Sequence, residues 1–191
     1  DFEALGRLIE MQIENGIEAV IPCGSTGEGA TLSTDEKCDV IQYTVERVAG
    51  RIPVIAGTGS NDTQATIRLT ARAKELGADG VLLVCPYYNK PTQQGLFEHH
   101  RAIAEAVDIP QILYNVPSRS GVNMTAETQL RIAEECPNVV ATKEASANLE
   151  QIAEIIRSAS DGFIVVSGDD SLSLPIIACG GKGSIAVISN Y

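Results

Sequence analysis

Gly80-Val81-Leu82-Leu83-Val84 is an unbroken apolar run, and it follows a helical stretch, Asp62 to Leu76, that stops at Gly77. A strand with no polar face fits a parallel sheet whose two faces are both covered, whereas a half-exposed strand alternates polar and apolar residues. The same order, helix then apolar run, recurs in both directions from this segment. Upstream, Phe2 to Asn15 carries a helical stripe at Leu5, Leu8, Ile9 and Ile13 and ends at Gly16, and Ala19-Val20-Ile21-Pro22-Cys23 reads as a strand. Ser33-Thr34-Asp35-Glu36 has the form of a capping box; it opens a helix to about Ala49, with Gly50 as its stop, and Pro53-Val54-Ile55-Ala56 is the next strand. Downstream, a helix from about Gln94 to Val107 leads to the strand Gln111-Ile112-Leu113-Tyr114-Asn115. A helix from Thr125 to Glu135 leads to Val139-Val140-Ala141-Thr142-Lys143. Leu149 to Ser158 pairs with Phe163-Ile164-Val165-Val166-Ser167, and a shorter helix after Asp170 precedes the last strand, Gly183-Ser184-Ile185-Ala186-Val187.

Strict βα alternation in units of roughly 20 to 35 residues calls for a parallel sheet, either closed as a barrel or open and doubly wound. Polar and reactive residues sit just after many strands: Ser25 and Thr26, Thr58, Tyr87 and Tyr88, Tyr114 and Arg119, Lys143, Ser167. An open sheet gathers its site at one switch point, while a barrel draws groups from many strand ends around one mouth. The expected fold is therefore an α/β, (β/α)8 TIM barrel, present over residues 1–191 as a single partial catalytic domain. Seven strands are visible against the eight the fold requires. A first strand is expected before Asp1 and at least one helix beyond Tyr191.

The composition narrows the function. Of 191 residues 44% are hydrophobic, enough for a core. With 25 acidic against 14 basic residues the net charge is -11, which argues against nucleic acid or an anionic membrane as partner and for a small molecule or a protein. No apolar stretch is long enough to span a bilayer, and Asp1-Phe2-Glu3-Ala4 lacks a signal-peptide layout, so the chain is expected to be soluble and cytoplasmic. Cys23, Cys38, Cys85, Cys136 and Cys179 are odd in number and scattered, which favours free thiols packed as small hydrophobes.

Lys143 carries the chemistry. It closes an apolar strand, and burial is costly for an ammonium unless the site uses it. Desolvation lowers an amine's pKa, and a neutral amine attacks a ketone to form a Schiff base; the alternative is a lysine that snorkels to solvent. By alternation Tyr114 shares a strand face with Ile112, and Lys143 with Ala141 and Val139. If both faces point inward, a phenol and an amine converge at the barrel mouth. Arg119, in Val116-Pro117-Ser118-Arg119-Ser120-Gly121, suits a substrate carboxylate, or is a solvated loop arginine. Gly24-Ser25-Thr26-Gly27-Glu28-Gly29 lets backbone N–H groups approach a ligand, but its spacing is not that of a dinucleotide loop. Tyr87 and Tyr88, in Pro86-Tyr87-Tyr88-Asn89-Lys90-Pro91, could relay protons or pack an interface. Asp169 and Asp170 have no histidine beside them and read as helix N-caps, so no metal site is expected; His99 and His100 read as surface or packing residues.

Taken together, Gly24-Ser25-Thr26-Gly27-Glu28, Pro86-Tyr87-Tyr88-Asn89-Lys90-Pro91, Tyr114-Asn115-Val116-Pro117-Ser118-Arg119, Lys143-Glu144-Ala145, Ser167-Gly168-Asp169-Asp170 and Gly183-Ser184-Ile185 resemble the 4-hydroxy-tetrahydrodipicolinate synthase (dihydrodipicolinate synthase) family over nearly the whole chain. The Gly-x-Thr-Gly-Glu loop and the lysine are shared by the wider pyruvate-dependent class I aldolase superfamily, including N-acetylneuraminate lyase. The Tyr-Tyr-Asn-Lys-Pro and Tyr-Asn-Val-Pro-Ser-Arg segments point to the synthase. The resemblance implies a lyase of lysine and diaminopimelate biosynthesis with no cofactor beyond a covalent imine of Lys143 with pyruvate, whose enamine attacks aspartate 4-semialdehyde. It implies a proton relay of Ser25, Tyr114 and Tyr88, with Tyr88 reaching into a neighbouring subunit of a homo-oligomer, a dimer or a tetramer. Thr26, Gly168 and Ile185 would hold pyruvate, and Arg119 the semialdehyde carboxylate. Ser25 stands where the synthase usually has threonine and the lyase commonly has serine, which keeps the hydroxyl and loses the methyl that stiffens the rotamer. A sugar-acid aldolase of the same superfamily and a catalytically silent keto-acid-binding barrel are the alternatives. In lysine-inhibited members the effector lies near the residues matching Tyr87 and Asn61 and is held by an acid that here is Ala65, with Thr34 and Lys37 in place of histidines. Feedback by lysine is therefore expected to be weak or absent.

Overall fold

In the computed structural model, which describes residues 1–190, each apolar run becomes a strand or a strand edge and each amphipathic stretch a helix. The order is α1 (Phe2–Glu14), α2 (Thr34–Val48), β1 (Ile55–Gly57), α3 (Thr63–Glu75), β2 (Gly80–Val84), α4 (Gln93–Ala106), β3 (Gln111–Asn115), α5 (Pro117–Ser120), α6 (Ala126–Glu135), β4 (Val139–Glu144), α7 (Leu149–Ser158), β5 (Ile164–Ser167), α8 (Ser173–Ala178) and β6 (Gly183–Ser184). The helices start where side chains supply the missing acceptors. Ser33 and Glu36 form the expected reciprocal capping box of α2, and Asp62, Thr92, Thr125 and Asn148 cap α3, α4, α6 and α7.

The six strands are parallel and lie in chain order, β1-β2-β3-β4-β5-β6. A doubly wound sheet reverses its strand order at a switch point, and this sheet never does, so the architecture is an incomplete (β/α)8 barrel. Its ends curl toward each other: Gln12 of α1 donates to the Ser189 carbonyl, just past β6, at 2.6 Å. The apolar core fills the layer between strands and helices, with Val81, Leu83, Ile103 and Ile41 at its upstream part, Leu113, Phe97, Ile132 and Val139 at its centre and Val165, Ile152 and Ile176 downstream.

Two expected strands are shorter than their sequence suggests. Ala19 to Cys23 contributes one parallel bridge, Val20 to Val54, and is not a strand of its own. The ladder bonds of a strand are begun there, with Val20 N–H donating to Pro53 and Gly57 N–H to Pro22, but Cys23 turns into the left-handed region (φ 59°) and leaves the extended path. Gly183 to Val187 is extended only at Gly183–Ser184; the chain then enters a 3-10 turn, Ile188–Asn190, and only β5 pairs with it among the described residues. Both shortened segments lie at the outer edges of the sheet, where a strand is held from one side only. The short helix α5 was not anticipated; Pro117 at its first position is pre-set for a helical start.

Candidate active site

The parallel arrangement places every strand's C-terminal end on one rim, and the site forms there. Tyr114 and Lys143 are the penultimate residues of β3 and β4 and are direct partners in the parallel register. Residues paired this way on adjacent strands point to the same face. The Lys143 Nζ lies 4.3 Å from the centroid of the Tyr114 ring, so the amine rests on the face of the phenol. Tyr114 is buried at 5% exposure and Lys143 is half-buried.

Burial acts on both groups. The Lys143 ammonium is brought down from 10.5 to about 8, chiefly by desolvation; the Asp170 charge opposes the fall and the Arg119 charge adds to it. The Tyr114 phenol is pushed up by desolvation, with contact from Ser25 and the charge of Arg119 acting against that rise. Ser25 and Arg119, both themselves exposed, thus reach the Lys143–Tyr114 pair from the glycine-rich loop and from α5.

Gly168 follows β5 directly and makes room for the lysine. A Cβ there would stand 2.7 Å from Lys143 Cε, 2.9 Å from its Cγ and 3.0 Å from the Ala145 Cβ. No side chain fits while Lys143 keeps this path. The Gly168 N–H donates to the Glu144 carbonyl at 2.7 Å and the Ile185 N–H to the Ser167 carbonyl at 2.8 Å, which sets the residues after β5 and β6 on the same rim as Lys143.

The glycine-rich loop is shaped by close backbone approach. Side chains at Gly29 and at Gly57 would both collide with the Cys23 carbonyl, and Cys23 and Glu28 take left-handed conformations at φ 59° and 54°. The loop holds Ser25 and Thr26 exposed at the rim. Further left-handed non-glycine residues, Tyr88 (φ 74°), Lys90 (φ 46°) and Ala147 (φ 58°), lie in loops that follow β2 and β4. Such backbone strain persists where surrounding structure enforces it, and it concentrates at functional rims. Tyr88 is 89% exposed, so this chain does not pack it against the buried pair. Thr58, which follows β1, turns instead toward α3 and shares a 2.8 Å hydrogen bond with Thr70.

The aspartates have structural partners and the histidines pack in the core. Asp169 accepts from the Ser171 N–H and hydroxyl, capping the 3-10 turn Asp170–Leu172, while Asp170 accepts from the Val187 and Ile188 N–H groups and tethers the segment after β6. His99 and His100 are buried in α4, His99 bonded to Thr63 at 2.8 Å. Three of the five thiols, Cys23, Cys85 and Cys136, are buried, and Cys179 is exposed; all five are free. Among the described residues no cluster of three metal-binding side chains occurs, and no helix is long and apolar enough to cross a membrane.

Sequence reasoning missed the groups behind the site. Asn115 and Glu144, one residue beyond Tyr114 and Lys143, face the opposite way and are fully buried with Gln129 and Thr142. The signal lies in the strands themselves: a carboxylate and an amide at buried positions of apolar strands need partners.

The sequence profile of the Dihydrodipicolinate synthetase family matches residues 1–191. A curated 4-hydroxy-tetrahydrodipicolinate synthase of Geobacter metallireducens is 56% identical over 190 residues, covering all of this chain and 65% of that protein. The crystal structure of dihydrodipicolinate synthase from Aquifex aeolicus superposes with a TM-score of 0.98 at 53% identity, again over the whole chain and 65% of its own length. The chloride-inhibited dihydrodipicolinate synthase from Acinetobacter baumannii, complexed with pyruvate, superposes at 0.97 with 45% identity, over the whole chain and 65% of that one. The chain spans 65% of the length of the curated relatives it matches.

Proposed function

Because the chain belongs to the dihydrodipicolinate synthetase family, we propose that it carries the Schiff-base chemistry of a 4-hydroxy-tetrahydrodipicolinate synthase. The observation that bears most weight is the half-buried Lys143 amine, brought down to about 8 and resting on the Tyr114 ring at the barrel rim. A neutral amine there adds to the keto carbon of pyruvate; water leaves and an imine forms. Loss of a methyl proton gives the enamine, whose carbon attacks the aldehyde of aspartate 4-semialdehyde. The substrate's own amine then closes the ring at the imine carbon and frees Lys143. No cofactor is needed, because the protonated imine is the electron sink.

In this reading Tyr114, Ser25 and Tyr88 move the protons, Thr26, Gly168 and Ile185 hold pyruvate, and Arg119 pairs with the semialdehyde carboxylate. The exposed Tyr88, held at φ 74°, serves a neighbouring copy, so the active protein is a cytoplasmic homo-oligomer, a dimer or a tetramer. The names of the relatives favour the synthase over a sugar-acid aldolase. Feedback by lysine is weak or absent: Ala65 offers no carboxylate, and Asp62, the available substitute, already accepts from the Ala65 N–H at 2.8 Å. Initial rates of the full-length enzyme across rising lysine check this, and strong submillimolar inhibition would show that another group holds the effector.

The decisive test is trapping. The full-length protein is incubated with pyruvate, reduced with borohydride and mapped by mass spectrometry. The label is expected on Lys143; a label confined to Lys37, Lys74, Lys90 or Lys182 sinks the assignment.

A further inference from the structure

We infer that Gln129 and Glu144 form a positioning bracket for Lys143, gripping the strand on both sides of it from the barrel's outer face. The inference rests on the Schiff-base reading of Lys143. Its basis is a set of bonds that converge on one carboxylate. Glu144 is fully buried, and among the described residues it takes part in no ion pair. Its Oε1 accepts from Asn115 Nδ2 at 2.8 Å, Gln129 Nε2 at 2.5 Å and Gln151 Nε2 at 3.3 Å, and its Oε2 from the Ser146 N–H at 3.3 Å.

All four of these contacts are N–H donors, so the carboxyl oxygens fix which end of each surrounding carboxamide faces them. Asn115, Gln129 and Gln151 must all present their NH2 groups to Glu144, and their oxygens are left for other work. The Asn115 oxygen accepts from the Met124 N–H at 3.0 Å and the Gln151 oxygen from Asn123 Nδ2 at 2.8 Å. The Gln129 oxygen accepts from the Thr142 hydroxyl at 2.7 Å. Thr142 and Glu144 flank Lys143 in β4, so the single carboxamide of Gln129, on α6, grips the residue before the lysine with its oxygen and the residue after it with its nitrogen. Asn115 ties Glu144 to the residue after Tyr114 on β3. The register of the amine and the phenol is thereby held from behind. Asp170 and Arg119 are the charges that act on the Lys143 amine, and Glu144 is not among them, so the bracket works through geometry.

The test uses the full-length protein and follows the rate of Lys143–pyruvate imine formation by rapid quenching into borohydride. Glu144→Leu keeps the bulk and removes the acceptor on which three amides converge, leaving the NH2 groups of Asn115, Gln129 and Gln151 only their bonds to Asn123 and the Met124 carbonyl. Misplacing a reacting group by about 1 Å costs on the order of 10²-fold, and a loss of that size in the rate at saturating pyruvate is expected, with the apparent pyruvate affinity little changed. Glu144→Gln keeps one acceptor oxygen and is expected to restore most of the rate. Ile132→Ala, a core truncation in α6 outside the bracket, controls for destabilisation: it should lower the melting temperature and leave the imine rate as in the parent. If Glu144→Leu does not fold, Thr142→Val, which removes one hydroxyl of the bracket, decides the matter with an expected loss of about tenfold. Parental rates in Glu144→Leu, or in Thr142→Val where that variant has to decide, overturn the inference. Failure of the parent protein to label at Lys143 is a different result, which overturns the Schiff-base reading on which the inference stands.

Discussion

Lys143 and Tyr114 on the inner face of β4 and β3, and Glu144 and Asn115 on the outer face, are one residue apart along the chain and live under opposite rules. On the outer face the polar groups at the two strand ends are matched: the Glu144 carboxylate takes four donors, and Asn115 uses both ends of its amide. On the inner face the amine has an aromatic ring beneath it and incomplete solvation, and its pKa falls. A cation over a phenol ring gains only ~0.5–2 kcal/mol, which offsets part of the cost of taking an ammonium from water. The difference teaches how one strand end can hold a reactive group. Saturated bonding on one face fixes the backbone, and that lets the other face keep a group poorly satisfied without the strand moving to relieve it.

The first way to break this comparison is to remove the phenol from the inner face. Tyr114→Phe keeps the ring under the amine and deletes the hydroxyl that the proposed relay requires. Loss of a positioned acid or base typically costs about 10²–10⁴-fold, and kcat of the full-length enzyme is expected to fall by that much, while borohydride trapping of pyruvate on Lys143 continues. A kcat within threefold of the parent would place the proton transfer elsewhere.

A smaller effect is expected from crowding the lysine's path. Gly168 has an ordinary backbone conformation, so an alanine there is strained only by what its Cβ meets, and it meets the Lys143 stem and Ala145. Gly168→Ala should displace the amine by a fraction of an ångström and slow imine formation by about tenfold, within the scale set by ~10²-fold per ångström. The melting temperature should change little, since the stem of a lysine is flexible at its far end. An unchanged imine rate would mean that the site tolerates a shifted amine, and the contrast between the two faces would weaken.

Most of the inner face could be read from the sequence, and the outer face could not. The runs at Gly80–Val84, Gln111–Asn115 and Val139–Lys143 became β2, β3 and β4 because their apolar residues are best buried in strands. Alternation grouped Tyr114 with Ile112 and Lys143 with Ala141, and the parallel register put the two on one face. Val139, across the register shift, packs in the helix-side core instead of sharing the face of Lys143. The Ser33 capping box formed as expected because it depends on four consecutive residues. Ala19–Cys23 and Gly183–Val187 misled because an edge segment's extent depends on what pairs beside it, and that is not a property of its own residues. The bracket is likewise long-range: Gln129 lies on α6, 15 residues before Glu144, and nothing local marks a helical glutamine as the partner of a strand carboxylate. The family resemblance gave Gly168 a part in holding pyruvate, and only the path of the Lys143 side chain shows why a Cβ is excluded there.

The mildest perturbation is pH, and it sharpens the comparison most. In the proposed Schiff-base step only the neutral amine attacks pyruvate, so the imine rate should follow the free-amine fraction. With Lys143 at about 8, the rate falls roughly tenfold per unit below that value and levels off above it, whereas an ordinary lysine would keep climbing past pH 10. The same shift has a stability consequence. The folded pKa lies below the unfolded value of 10.5, so between about 8 and 10.5 the unfolded chain binds more protons and stability rises with pH; below 8 the full cost of holding a charged, half-buried ammonium is present. Lys143→Met should therefore melt higher than the parent near pH 7 and converge with it toward pH 10.5. Removing the neighbouring charge with Arg119→Ala should move the kinetic midpoint up, because Arg119 lowers the Lys143 pKa. Glu144→Gln should leave that midpoint where it is and change the rate alone. A midpoint near 10.5 in the parent would show that burial does not depress the amine, and one that shifts with Glu144→Gln would show that the two faces of β4 are coupled by charge and not by geometry alone.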